Sequence, residues 1–119
     1  GNIVAGTSQG TVTVDTVGNR TAIGGVILPT AIPGTVNAAK FIVSGLPQAT
    51  YAITLPTSTT ISTSGGASMT VDEFTSNPSG SGLLTGGTQE LYVGAKLTVN
   101  SNQPRGKYTG TFDVSVAYN

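Results

Sequence analysis

Histidine, cysteine and tryptophan are absent from this 119-residue chain, and charge is scarce: five basic and five acidic side chains make up 8% of it and cancel. Without His or Cys the chain has no ordinary acid/base group near neutral pH, no thiol nucleophile and none of the usual zinc or copper ligands. An enzyme is therefore not expected, and neither a cofactor nor a small-molecule substrate. The lack of Cys leaves the redox compartment open, because a domain of this size folds without disulfides when its core suffices. Arg20, Lys40, Lys96, Arg105 and Lys107 are scattered singly, whereas a nucleic-acid surface gathers its cations to displace phosphate counterions; no nucleic-acid partner is expected. No apolar run of about 18 residues could span a bilayer as a helix. Gly1 does not open a signal peptide, so any export signal is expected to have been removed.

Thr, Ser, Gly and Asn stand where charge is missing. Hydroxyls and amides then solvate the surface, and a net charge near zero gives little colloidal repulsion, a surface that favours association. The length fits one domain, residues 1–119, around one core.

No window places apolar residues at helical spacing; strand-type alternation recurs instead. In the clearest run, Gly106 to Tyr118, the residues Tyr108, Phe112, Val114, Val116 and Tyr118 share one face, and Lys107, Thr109, Thr111, Asp113 and Ser115 share the other. Gln89 to Val99 puts Leu91, Val93, Ala95, Leu97 and Val99 inward, and Asn100 to Gly106 supplies the turn between the two strands. Further strands are predicted over Thr11–Thr16, Thr21–Leu28, Ala38–Ser44, Tyr51–Leu55, Ser68–Phe74 and Gly82–Thr85, with Thr57–Gly66 a loop or irregular edge. Short strands at this spacing, without helices, predict an all-β, immunoglobulin-like antiparallel sandwich, a closed barrel being the alternative. Nothing repeats at the period of about 20 to 50 residues that a solenoid or propeller requires.

The motifs that could carry chemistry are thin. Asp72 and Glu73 are adjacent, and neighbouring side chains of a regular strand point to opposite faces. Asp15, Glu90 and Asp113 are isolated and supply no calcium loop; an enzyme would need Asp72, Glu73, Glu90 or Asp113 to converge in a cleft. Gly80 to Gly86 lacks the Lys-Ser/Thr ending of a phosphate loop and leads toward a strand. No Gly-X-Ser-X-Gly elbow occurs, and without His the hydroxyls lack their usual base. Asn19-Arg20-Thr21 matches a glycosylation acceptor, but Gly18-Asn19 reads first as a hairpin turn. Tyr51, Tyr92, Tyr108 and Tyr118, if gathered at the surface, would stack sugars. That supports the alternative reading, a secreted carbohydrate-binding adhesin module, although Tyr108 and Tyr118 alternate with apolar residues as core positions do.

The end of the chain resembles the C-terminal motif of chaperone–usher pilus subunits, which has a Gly fourteenth from the end, alternating apolar residues and a penultimate aromatic. Gly106 and Tyr118 fall on those positions, with Phe112, Val114 and Val116 between them. The chain is also similar to a family of secreted bacterial pilin-like domains of unknown function. That likeness is carried by Gly-Asn-Ile-Val-Ala-Gly at residues 1–6, Gly-Thr-Val-Thr-Val at 10–14 and Tyr-X-Gly-Thr-Phe-X-Val-X-Val-X-Tyr at 108–118. It lacks the pilin Cys pair, and nothing before Ile3 resembles the alternating extension that pilins donate to a neighbour, so the chain reads as beginning late. The resemblance implies an immunoglobulin-like sandwich on the bacterial cell surface, exported through the periplasm. It also implies other copies as head-to-tail partners, and a periplasmic chaperone and outer-membrane usher as assembly partners.

A missing strand matters energetically, because about five inward side chains at roughly 1.5–3 kcal/mol each rival a typical net stability of about 5–15 kcal/mol. The expectation is a sandwich completed by a donated strand and a non-enzymatic filament subunit. Its acceptor groove is expected to be lined by Leu91, Val93, Leu97, Gly106, Tyr108, Phe112, Val114, Val116 and Tyr118. Main-chain hydrogen bonds would give affinity and alternate side chains would set register. Head-to-tail donation does not close on itself and so builds a filament.

Overall fold

A computed structural model describes residues 1–119. It is a sandwich of two antiparallel sheets with no α-helix, only a single 3-10 turn at Thr85–Gly87. The strands are β1 (Val4–Val14), β2 (Arg20–Ile27), β3 (Ala39–Ser44), β4 (Thr50–Thr54), β5 (Ser58–Ser62), β6 (Ser68–Asn77), β7 (Ser81–Leu83), β8 (Thr88–Val99) and β9 (Ser115–Tyr118). The larger sheet has six strands in the order β2-β1-β8-β6-β5, with β3 also paired to β8; the smaller has three, β7-β4-β9. β1 takes the second half of β8, opposite Ala95–Val99, and β3 the first half, opposite Thr88–Val93.

Alternation fixes the two faces of the large sheet. Thr59, Val71, Leu97, Val12 and Ala22 line up across five strands on the inner face, and Thr60, Thr70, Thr98, Thr11 and Ile23 line up one residue away on the outer. Hydroxyls thus make up most of this outer row, with Ile23 exposed at its β2 end. The β1–β2 hairpin turns on Asp15, whose Oδ1 accepts from the backbone N–H groups of Val17 (3.0 Å) and Asn19 (2.9 Å), while Gly18 takes φ +89°. A side chain there would be strained, which is why a short polar turn ending in Gly closes this hairpin.

The core is thin: 11 of 119 residues are buried, and none of the buried side chains is polar. Val12, Val26, Met69 and Val99 form one cluster. At the other end Tyr51, Leu84 and Leu91 are almost wholly inaccessible. There the small sheet is tied to β8 by Gln89, whose Oε1 accepts from the Tyr51 hydroxyl (2.5 Å) and the Leu83 N–H (3.1 Å).

Three strand expectations change. β1 starts at Val4, seven residues early, because Val4 and Ala5 already pair with Ile27 and Val26 before an irregularity that ends at Gly10. Ser58–Ser62, expected as a loop or irregular edge, is a regular edge strand paired to β6. The long strand expected over Gly106–Tyr118 is regular only from Ser115. Upstream of that point the chain touches β5 through a single bridge, Ser62 to Thr109, then crosses to β4 in the other sheet. A segment changing sheets with no neighbour on its second side cannot complete a ladder.

Candidate functional site: an open trough on the inner face

The small sheet covers only part of the large one. Over the rest, the inner face carries a cavity of about 350 Å³ that runs into a wider opening of about 1240 Å³. The two share Gly1, Ile3, Ile61 and Leu97 and so form one trough. Its floor is the alternation of β1, β8, β6 and β5: Val12, Leu97, Val71 and Ile61, with Val93 and Phe74 toward the narrow end and Met69 and Val99 toward the wide end.

Two segments outside the sheets make the walls. On the β2 side, Gly1–Ile3 is joined to the loop at residues 32–37: the Asn2 N–H donates to Pro33 O (2.7 Å) and Asn2 Nδ2 to Ile32 O (3.0 Å). Arg20 straps them together, Nη1 donating to Asn2 O (2.7 Å) and Nη2 to Pro33 O (3.3 Å). On the β5 side the wall is residues 103–112. The Tyr108 hydroxyl donates to Pro104 O (2.6 Å) and accepts from Gln103 Nε2 (2.9 Å), and Gln103 Nε2 also donates to Ser68 O (3.1 Å). Phe112 ends this wall, its ring centroid 5.1 Å from Phe74 and 6.1 Å, edge-on, from Phe41. β2 and β5 are opposite edges of the sheet, so the trough lies between them, over β8.

The β5-side wall has a free main-chain edge. Between Gly106 and Val114 the only backbone–backbone hydrogen bonds are the reciprocal pair of Thr109 with Ser62, and Thr111 O accepts from Thr59 Oγ1 (2.8 Å). Every other main-chain group of this stretch lacks a main-chain partner, the condition in which a sheet edge accepts another strand.

Of the nine residues expected in a groove, the trough gathers five: Val93 and Leu97 on the floor, Gly106, Tyr108 and Phe112 in one wall. Leu91 lies at the covered end, 0% exposed. Val114 is half-buried and outside the lining. Val116 and Tyr118 belong to β9, opposite Ile53 and Tyr51 in the small sheet, and are exposed; the Tyr118 hydroxyl accepts from the Leu46 N–H (3.0 Å). Met69 and Val71 were legible as the inner face of β6. Ile3, Arg20 and Val36 had no sequence signal, since loop contacts place them.

The tyrosines do not form a platform: Tyr51 is buried, Tyr108 packs on the core cluster and Tyr118 is 57% exposed on β9. The acidic pair does not point to opposite faces either. The register shifts after Asp72, Glu73 adopts φ +49°, and its carboxylate reaches Lys96 Nζ at 2.6 Å, although Lys96 is the cross-strand partner of Asp72. Glu73 foremost, then Asp72, raises the Lys96 pKa.

Charge is segregated. Lys96 pairs with Glu73 and Lys40 with Glu90 (3.1 Å), the only two ion pairs in the chain. Glu90 also accepts from the Tyr92 hydroxyl (2.7 Å), and that hydrogen bond, with Lys40, lowers its pKa. The other three cations, Arg20, Arg105 and Lys107, all line the trough, and no acidic side chain does.

A family model described as a domain of unknown function (DUF4402) matches residues 1–118; the chain belongs to that family. No curated protein matches it, and no solved structure does.

Proposed function

We propose that this DUF4402 domain is a structural subunit of an extracellular, pilus- or fimbria-like bacterial filament, in which an extended segment of a second subunit fills the trough. The observation that carries this reading is the pairing of an apolar trough with a wall, Gly106–Phe112, in which only Thr109 has a main-chain partner. A donated strand answers both at once: its alternate side chains cover Val71, Leu97 and Val12, and its backbone completes the ladder that Thr109 begins. The resemblance of the Gly106–Tyr118 pattern to a strand of chaperone–usher subunits supports the same reading, as does a surface with little charge to keep copies apart. A periplasmic chaperone that shields the trough before assembly, and an outer-membrane usher, belong to this reading.

Electron microscopy of the native material tests it. Filaments with an axial repeat near the 50 Å long dimension of the domain are expected. Discrete monomers throughout would overturn it in favour of a self-complete, carbohydrate-binding surface module.

A further inference from the structure

The placement of charge says something about the segment that enters the trough. In a chain of net charge zero, the two cations outside the trough are both ion-paired, and the three that line it have no carboxylate partner. They also stand in its two walls, Arg20 on the β2 side and Arg105 and Lys107 on the β5 side. Arg20 lines the narrow part, with only the carbonyls of Asn2 and Pro33 on its guanidinium, and Arg105 and Lys107 line the wide part.

Resting on the strand-insertion reading above, we infer that the segment the trough accepts is an alternating apolar strand flanked by acidic residues, one carboxylate meeting Arg20 in the β2-side wall and the other Arg105 and Lys107 in the β5-side wall. The apolar floor between the two walls carries no charged side chain, so an acid turned down onto it would be desolvated without a partner, which is costly. At the rims the same acid keeps water and gains a cation. Covering the trough with a neutral or basic strand would leave the three wall cations with nothing to neutralise them, so the charges select the partner as much as they hold it. The carbonyls of Asn2 and Pro33 hold the Arg20 guanidinium in place with one N–H from each Nη, and its remaining N–H donors are left for a carboxylate.

Three fluorescently labelled synthetic peptides test this by anisotropy against the whole chain: an alternating Val-Thr strand with aspartate at both ends, and the same strand with asparagine or lysine there. At low salt the aspartate peptide is expected to bind about tenfold tighter than the asparagine one, the sum of a few rim ion pairs, and the lysine peptide weakest. The gap should close at about 0.5 M NaCl. In the Arg105→Gln/Lys107→Gln variant, whose side chains are exposed and make no ion pair, about half of the gap should go. Arg20→Gln should remove the remainder, with hydrogen exchange at residues 1–5 and 32–37 reporting whether the β2-side wall still stands. Because the protein carries no net charge, bulk attraction cannot produce the difference. Equal binding of all three peptides overturns the charge inference and leaves strand insertion standing, whereas no binding by any of them overturns strand insertion itself.

Discussion

Strand β8 crosses two environments. At its start Leu91 lies at the end where Tyr51 and Leu84 are sealed in, and is wholly inaccessible; further along, Ala95 and Leu97 carry the same alternation on the trough floor but stay half-buried between the buried Val93 and Val99. Nothing in the strand itself separates the two halves. What differs is the layer opposite: three short strands fastened through Gln89 at one end, two unconnected walls at the other. The exposure of Ala95 and Leu97 is thus set by the layer opposite them and not by their own strand.

The sharpest way to break this comparison is one truncation at both places. Leu91→Ala should cost about 2–5 kcal/mol in urea denaturation, because a sealed site cannot collapse around the hole. Leu97→Ala removes the same atoms from a half-open site and should cost only about 1 kcal/mol in the isolated chain. If the two costs are equal, the trough is closed in solution and the contrast along β8 fails. Where a strand fills the trough, Leu97→Ala should become the more damaging of the two for assembly, read as filament yield.

Much of this division could not be read from the residues. Alternation located β3, β4, β6 and β8 to within a residue or a few, because apolar residues recur at period two on their inner faces, and β2 was located as well, with Val26 inward and Ile23 and Ile27 exposed. It overextended the final strand, since Tyr108, Phe112 and Val114 keep that period while the chain leaves one sheet for the other, and pattern does not encode which neighbour a strand has. It passed over β5, where only Ile61 marks the inner face among Ser and Thr. Of the candidate site, the floor and the β5-side wall were legible from Val93, Leu97, Tyr108 and Phe112. The β2-side wall was not, because Arg20 acts there on carbonyls of residues distant in sequence.

A smaller effect tests how the covered end is fastened. Tyr51 is 2% exposed, burial raises its pKa, and its hydroxyl donates to Gln89. Tyr51→Phe keeps the ring and removes that hydrogen bond, while Leu83 still donates to the same Gln89 oxygen. The acceptor is not orphaned, so the loss should be about 1 kcal/mol by thermal or chemical denaturation. A loss as large as that of Leu91→Ala would mean that Gln89, more than apolar burial, holds the two sheets together.

The smallest effect concerns charge. At the start of β8, Glu90 accepts from Tyr92 and pairs with Lys40, whereas Arg105 and Lys107 by the trough have no such partner. The hydrogen bond from Tyr92, then Lys40, lowers the Glu90 pKa. Its contribution is therefore complete above the unfolded carboxylate range, about pH 4.3, and is lost as pH falls through the lower folded value. Hydrogen bonding to Glu90 raises the pKa of both Lys40 and Tyr92, so their contributions are complete below about pH 10 and are lost as pH rises beyond it. The melting temperature of Glu90→Gln should thus fall slightly short of the parent's across the neutral range and meet it at the acid end. Arg105→Gln/Lys107→Gln should leave the melting profile unchanged at every pH, because a cation with no partner in the folded chain has little folded-state interaction to lose. A stability loss in that double variant at neutral pH would mean that the trough cations are already neutralised within the chain, and the division between a paired end and an expectant one would go with it.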